Sequence, residues 1–360
     1  MSSCGTSRLS IIDRLLSLWI ALGIIVGLIL GRFLPGLNAY LQYGIPVGLF
    51  FMIYPAMVKI DFNDLKQAIR SKREVGVVAF LNYAVNPFLL YFIGFIFFNL
   101  IFQSAGLLGT ATANALWTGL ILLGVAPCIA MVLVWTDLAK GNGPLGIVLM
   151  AWNSIIQILM TPLYIALLVG TYVSINIASI GESVLLYLGL PLLAGAVTRK
   201  LALKKKTLEW LSEKLTPQLN SLQLIALLFT MVVMFSLQGY VILENPQLIL
   251  FMVPPLTLFI FLLYNVSYFL SRKIGYNYCD ASTIGFHCTG RNFELAIAIA
   301  ITAFASTPLV AVSTVIGPLI EIPLMLTLVK LSLRRQSKEV VAAEKLIAAP
   351  AVTIRRDDAK

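Results

Sequence analysis

From Val75 to Thr136 the chain carries no Asp, Glu, Lys or Arg, and other charge-free stretches follow it. Uncharged apolar runs of about 18 residues or more are the mark of membrane-spanning segments. The whole sequence agrees: 59% of its residues are apolar and 12% charged, with a mean hydropathy of +0.92. Soluble domains run at roughly 45–50% apolar and about 25% charged. A chain this poor in polar surface cannot face water on all sides. A soluble enzyme, a nucleic-acid binder and a disordered protein are therefore excluded, and the net charge of +10 must have a different origin.

Ten apolar stretches are each candidates to cross a bilayer core of about 30 Å. They lie near Leu15–Leu34, Gly44–Val58, Val75–Ile101, Ala115–Thr136, Gly143–Gly170, Val184–Thr198, Gln218–Tyr240, Leu248–Leu270, Ser282–Ala303 and Pro308–Val329. Lipid offers no partner for free backbone polar groups, so the spans are predicted to be helices. The runs are too long and too uniformly apolar for barrel strands. The expected fold is an all-α polytopic membrane protein.

The basic residues fall into a pattern. Arg8 and Arg14 precede span one; Lys59, Lys66, Arg70, Lys72 and Arg73 lie between spans two and three; Lys140 follows span four. Arg199, Lys200, Lys204, Lys205, Lys206 and Lys214 lie between spans six and seven, Arg272 and Lys273 between eight and nine, and the rest from Lys330 onward. With ten spans all of these share one side, which the positive-inside rule makes cytoplasmic. The opposite connections, such as Phe102–Asn114 and Thr171–Gly181, hold no Lys or Arg. The basic excess thus reads as topology and contact with anionic headgroups, with both termini cytoplasmic. The first apolar stretch is longer than the ~7–15 residues of a signal peptide's core, so span one is expected to stay. The tail from Arg334 is expected to be a mobile cytoplasmic end. The expected division is a cytoplasmic N-terminus (1–14), a first five-helix repeat (15–170), a second (171–330) and the tail (331–360). No phosphate-binding G-x-x-x-x-G-K-[ST] loop is present, so no ATP-hydrolysing module is read in the chain. Whether an accessory ATPase or a homo-oligomer accompanies it is left open. No cofactor is expected. Cys4, Cys128, Cys279 and Cys288 avoid the outer connections and are expected to stay reduced.

Two arginines stand outside the topology pattern. Arg32, at the outer end of span one, can snorkel to the headgroups. Arg291 lies inside span nine, with Glu294 in the same span and Glu321 in span ten. A charge at mid-bilayer costs ~2.5–3.5 kcal/mol or more, so these groups are expected to face each other or a cavity. One reading is an ion pair that locks helices; the other is a transport pathway with a titratable acid. The backbone there is also unusual. Span nine contains Gly285-Phe286-His287-Cys288-Thr289-Gly290-Arg291-Asn292-Phe293-Glu294, and span four contains Gly124-Val125-Ala126-Pro127-Cys128. Proline removes a donor and clashes with the preceding turn, so span four should break before Cys128. Shifting the chain by about 164–168 residues lays Pro127-Cys128 on Arg291-Asn292 and Asn86-Pro87 on Pro254-Pro255. Five plus five spans with an odd repeat means inverted halves, and a broken helix in each is a secondary-transporter signature.

At these residues the sequence resembles the arsenite efflux permeases of the Acr3 family, within the bile acid/arsenite/riboflavin transporter superfamily. The matching segments are Gly124–Trp135, Asn292–Ala300 and Ile316–Pro323, with weaker likeness at Phe51–Met57 and from Asn82 to Leu90. The resemblance implies ten spans with discontinuous, crossing spans four and nine. It also implies export of arsenite, and often antimonite, across the cell membrane in exchange for protons. It places the family's span-four cysteine at Cys128 and its span-nine acid at Glu294. Asn82, Trp135, Asn292 and Glu321 fall on other polar pathway positions. Where many members have a polar, uncharged residue before Asn-Phe-Glu, this chain has Arg291.

The chemistry is consistent with that implication. Arsenite is a mostly neutral, thiophilic oxyacid, and a soft sulfur suits a soft centre. A single thiol at Cys128 binds loosely enough to release; otherwise Cys128 is simply a small buried hydrophobe. Glu294 would carry the coupling proton. Glu321 is either a second pathway acid or a structural partner of Arg291. Asn82 and Asn292 either coordinate substrate or bond across helices, and Trp135 either lines the pathway or anchors the span at the interface. Cys288 and His287 are read mainly as structural, and as adjacent helix residues they make a poor nucleophile–base pair. The alternative on the same fold is a sodium-coupled importer of a small organic anion, with Arg291 binding a carboxylate.

Overall fold

The computed structural model describes residues 16–348 except 35, 37, 42, 61–71, 130 and 171–176. The expected N-terminal segment with Cys4, Arg8 and Arg14, the basic stretch with Lys66 and Arg70, the start of the outer connection at Thr171 and the end of the tail lie outside the described residues.

The described chain is helical, with no strand among the described residues. The elements are α1 (Leu16–Phe33), α2 (Gly44–Lys59), α3 (Lys72–Phe102), α4 (Thr110–Val125), α5 (Val132–Leu138), α6 (Gly143–Leu168), α7 (Ile177–Lys204), α8 (Leu208–Glu244), α9 (Gln247–Ile274), α10 (Tyr278–Thr289), α11 (Phe293–Ala303) and α12 (Pro308–Ala348). Six of them, α3, α6, α7, α8, α9 and the first 30 residues of α12, are long and apolar enough to cross a membrane; α1, α2, α4 and α11 are shorter and apolar.

Polarity is arranged inside-out relative to a water-soluble bundle. On α1 the outward side chains include Leu18, Leu22, Ile25 and Ile29; on α6 they are Leu159, Leu163 and Leu167; on α9, Leu258, Leu262 and Val266. Spacings of three and four put each set on one helix face. Apolar faces of this extent belong against lipid, not water. The inward faces carry the polar residues: Asn82, Asn86, Asn153, Gln157, Arg291 and Asn292 are each at most 1% exposed. The chain is a multi-pass membrane protein.

The helices pack in two groups. α8 lies against α1 and α2, and α2 against α7; separately, α4 packs on α3 and α12, α9 on α10 and α12, and α11 on α12. α7 joins the groups through contacts with α11 and α6. Arg199 of α7 reaches across to α2, where its Nη1 donates to the carbonyls of Val58 and Lys59, both at 3.3 Å. There it satisfies helix-end carbonyls and opposes the dipole's negative end.

Helix α12 runs past the expected span end near Val329 to Ala348, so residues 334–348 are helical. Leu, Arg, Gln, Lys, Glu and Ala dominate that stretch and favour helix. Cys128 and Cys288 are buried thiols outside any disulfide.

Candidate functional site

Helix α4 ends at Val125, two residues before Pro127, and helix returns only at Val132. Helix α10 ends at Thr289, and α11 begins at Phe293. Ala126 and Gly290 are extended, with φ/ψ of −116/96 and −62/138. The two extended segments run antiparallel, with Pro127 opposite Arg291. Cys128 donates its N–H to the Gly290 carbonyl at 3.0 Å, and Asn292 donates its N–H to the Ala126 carbonyl at 2.8 Å. Those two bonds flank the Pro127–Arg291 pair, which is therefore a non-hydrogen-bonded pair. Proline's missing donor is not needed there. The Arg291 N–H is likewise left over, and it donates to Glu321 Oε1 at 3.2 Å. Gly290 permits the close approach: a side chain there would come within 3.1 Å of the Cys128 Cβ.

Breaking a helix inside lipid strands carbonyls that water cannot reach. Nearly every one at this crossing has a named partner. For α4, the Gly124 carbonyl accepts from Arg291 Nη1 at 3.1 Å, Val125 from the Thr161 hydroxyl at 3.1 Å, and Ala126 from Asn292. For α10, the His287 carbonyl accepts from Asn82 Nδ2 at 3.1 Å, and Cys288 from Asn86 Nδ2 at 2.9 Å and also from Arg291 Nη2. Thr289 accepts from Arg291 Nε at 3.1 Å. The remaining Arg291 bond runs from Nη2 to Asn82 Oδ1 at 3.0 Å, and the Phe259 ring lies 5.6 Å from the guanidinium carbon. The guanidinium thus donates to carbonyl and amide oxygens, not to Glu294 or Glu321.

The helix starts are different. Asn292 caps α11 through Oδ1, which accepts from Leu295 N–H at 3.0 Å, but its Nδ2 has no protein partner. Glu294, in the first turn of α11, is 3% exposed, and its Oε1 also has no protein partner. A helix N-terminus favours negative charge, so α11 offers a carboxylate and an amide whose hydrogen-bonding capacity is not consumed by the fold. Cys128 is also 3% exposed, on the facing strand.

A sequence profile of the Sodium Bile acid symporter family matches residues 46–245. The arsenical-resistance protein Acr3 of Corynebacterium glutamicum is 36% identical over 342 residues, covering 90% of this chain and 89% of that protein. The chain belongs to this family. Acr3 of Alkaliphilus metalliredigens is 35% identical over 331 residues, covering 89% of this chain and 92% of that protein. A probable sodium/metabolite cotransporter of rice, the chloroplastic BASS2, is 27% identical over 313 residues, covering 85% and 67%. The symporter family is one of transporters, not enzymes.

In this family member the crossing gathers Cys128, Arg291, Asn292 and, through its carboxylate, Glu321, while Asn82 joins through its side chain. Trp135 is 2% exposed, inside the bundle. His287 sits between the Thr283 and Gly146 carbonyls, 2.9 Å from each, and Cys288 is fully buried. Sequence reasoning missed the polar face of α6. Asn153, Gln157 and Thr161 recur every four residues and turn inward. Asn82 Nδ2 donates to Asn153 Oδ1 at 3.3 Å, whereas Asn153 Nδ2 and both amide atoms of Gln157 have no protein partner. The spacing was visible as a polar stripe within an apolar span. Asn86 was also missed. It lies beside a π-helical turn of α3, Phe80–Val85, a distortion that often accompanies functional sites. Pro87 cannot donate to the Tyr83 carbonyl, which instead accepts from the Tyr164 hydroxyl of α6.

Proposed function

We propose that this protein is a secondary transporter that exports arsenite from the cytoplasm in exchange for protons, with antimonite as a second substrate. Its setting would be the cell membrane, with ten spans in two inverted halves and both termini cytoplasmic. Interrupted spans four and nine would be the pairs α4–α5 and α10–α11. The observation that carries the reading is the bridge that ties Cys128 to Gly290 and Asn292 to Ala126. It brings a soft sulfur onto the strand facing the start of α11, where Asn292 and Glu294 hold unused polar atoms. The identity to two proteins named for arsenical resistance supports the same substrate class.

In this reading Cys128 supplies one soft contact to arsenic, and Asn292, Asn82 and Trp135 line the pathway. Hydroxyl groups of a neutral oxyacid suit uncharged amides, which can both donate and accept. Deprotonated Glu294 favours the inward-open form that takes up arsenite. Protonation from outside accompanies release, and Glu321 is a second acid on the route. Arsenite accumulation in export-deficient cells tests the proposal: wild type should keep the metalloid low, and Cys128→Ser should not. Equal export by both would sink it.

A second reading is sodium-coupled import of a small organic anion, favoured by the likeness to the rice cotransporter. It needs Arg291 free to bind a carboxylate, yet its guanidinium already donates to four protein oxygens. Sodium-dependent uptake that survives Cys128→Ser would favour this second reading.

A further inference from the structure

We propose that Arg291 is a tethered cation occupying a monovalent-cation site formed by the crossing, and that it makes the protein independent of sodium. Four oxygens converge on its guanidinium: the carbonyls of Gly124, Cys288 and Thr289 and the side-chain oxygen of Asn82. Three of these are helix-end carbonyls. They come from two helices, α4 and α10, whose C-termini point into the same buried place.

The charge balance fits. Each helix C-terminus acts as roughly −0.5 elementary charge. Two of them aimed at one point amount to about one negative charge, which one guanidinium offsets. A buried arginine ordinarily requires a carboxylate partner; here Glu321 makes its hydrogen bond to the Arg291 backbone N–H and acts on the guanidinium only through space, so the direct contacts are all to carbonyl and amide oxygens. Rings of carbonyl oxygens are also what membrane proteins use to hold alkali cations in place of water, and unwound helix ends are where coupling ions sit in secondary transporters. A guanidinium held on its own backbone cannot leave. The site is then permanently filled, its charge constant through any cycle, and sodium cannot enter it. Such a chain must draw its coupling from another ion, which leaves Glu294 for protons.

The inference deepens the transporter reading but is tested without moving arsenite, so the two can fail separately. Thermal unfolding of the purified full-length protein in detergent is compared in choline, sodium and potassium chloride and with 10 mM guanidinium chloride (an arbitrary low dose, on the order of a hundredth of denaturing concentrations). Wild type should show the same midpoint in all four. Arg291→Ala should unfold several degrees lower in choline and recover saturably with sodium or guanidinium. Indifference of Arg291→Ala to every cation, or stabilisation of wild type by sodium over choline, would overturn the proposal. If Arg291→Ala does not accumulate, Arg291→Lys decides. A tethered ammonium should restore a folded, sodium-indifferent protein; failure of that variant too would mean the forked hydrogen bonding matters rather than the cation.

Discussion

Cys128 is joined to Gly290 through a backbone hydrogen bond of 3.0 Å, linking two chain segments 162 positions apart at the one place where both leave the helix. The geometry makes the sulfur's position depend on the opposite interruption. A change on one strand should be felt on the other.

Gly290→Val should show this dependence. The added Cβ would lie 3.1 Å from the Cys128 Cβ and 3.4 Å from Met325 Cε. Overpacking of this kind costs about 1–3 kcal/mol. The expected result is a lower unfolding midpoint together with lost export, measured on the same preparation. An unchanged midpoint would mean the crossing is looser than described.

Glu294→Gln should leave the fold intact, because Glu294 Oε1 takes no hydrogen bond from the protein. In the proposed exchange, external acid drives export, so wild-type efflux should rise as external pH falls at fixed internal pH. The variant should be slow and flat across the same range. Everted vesicles with an imposed pH gradient provide the measurement, and a retained gradient response would remove Glu294 from the coupling step.

Gln157→Leu separates stability from function. Both amide atoms of Gln157 are buried without a protein partner, and an unsatisfied buried polar group costs about 1–3 kcal/mol. Leucine of similar size should therefore keep or raise the unfolding midpoint while weakening arsenite export several-fold. A loss of stability with normal export would assign Gln157 to packing alone.

Asn82→Ala should be more damaging. Its amide donates to the His287 carbonyl and its oxygen accepts from Arg291 and Asn86. Removing it leaves a buried guanidinium donor and a helix-end carbonyl short of partners, a loss of roughly 2–5 kcal/mol. Poor accumulation or a midpoint lowered by many degrees is expected; near-normal stability would contradict the carbonyl accounting at the crossing.

The sequence was most informative where lipid imposes its rules. Charge-free runs located the helices, and Pro127 marked the end of α4 to within two residues. The second interruption was legible from Gly290, Arg291 and Asn292, because polar residues are costly inside an apolar span unless they face a cavity or one another. Contacts were less visible. Arg291 read either as the partner of an acid or as a pathway charge, since sequence shows charges but not the orphan carbonyls that a broken helix creates. Asn153 and Gln157 were passed over because two neutral amides barely alter the hydropathy of a 26-residue helix. The helical extension of α12 to Ala348 was hidden by charge, which ends a membrane span without ending a helix.

Arsenic X-ray absorption on the purified protein loaded with arsenite tests the central claim most directly. The account predicts a single sulfur in the arsenic coordination shell, the rest oxygen, and loss of that sulfur in Cys128→Ser. An all-oxygen shell in wild type, or a sulfur that persists in Cys128→Ser, would contradict it.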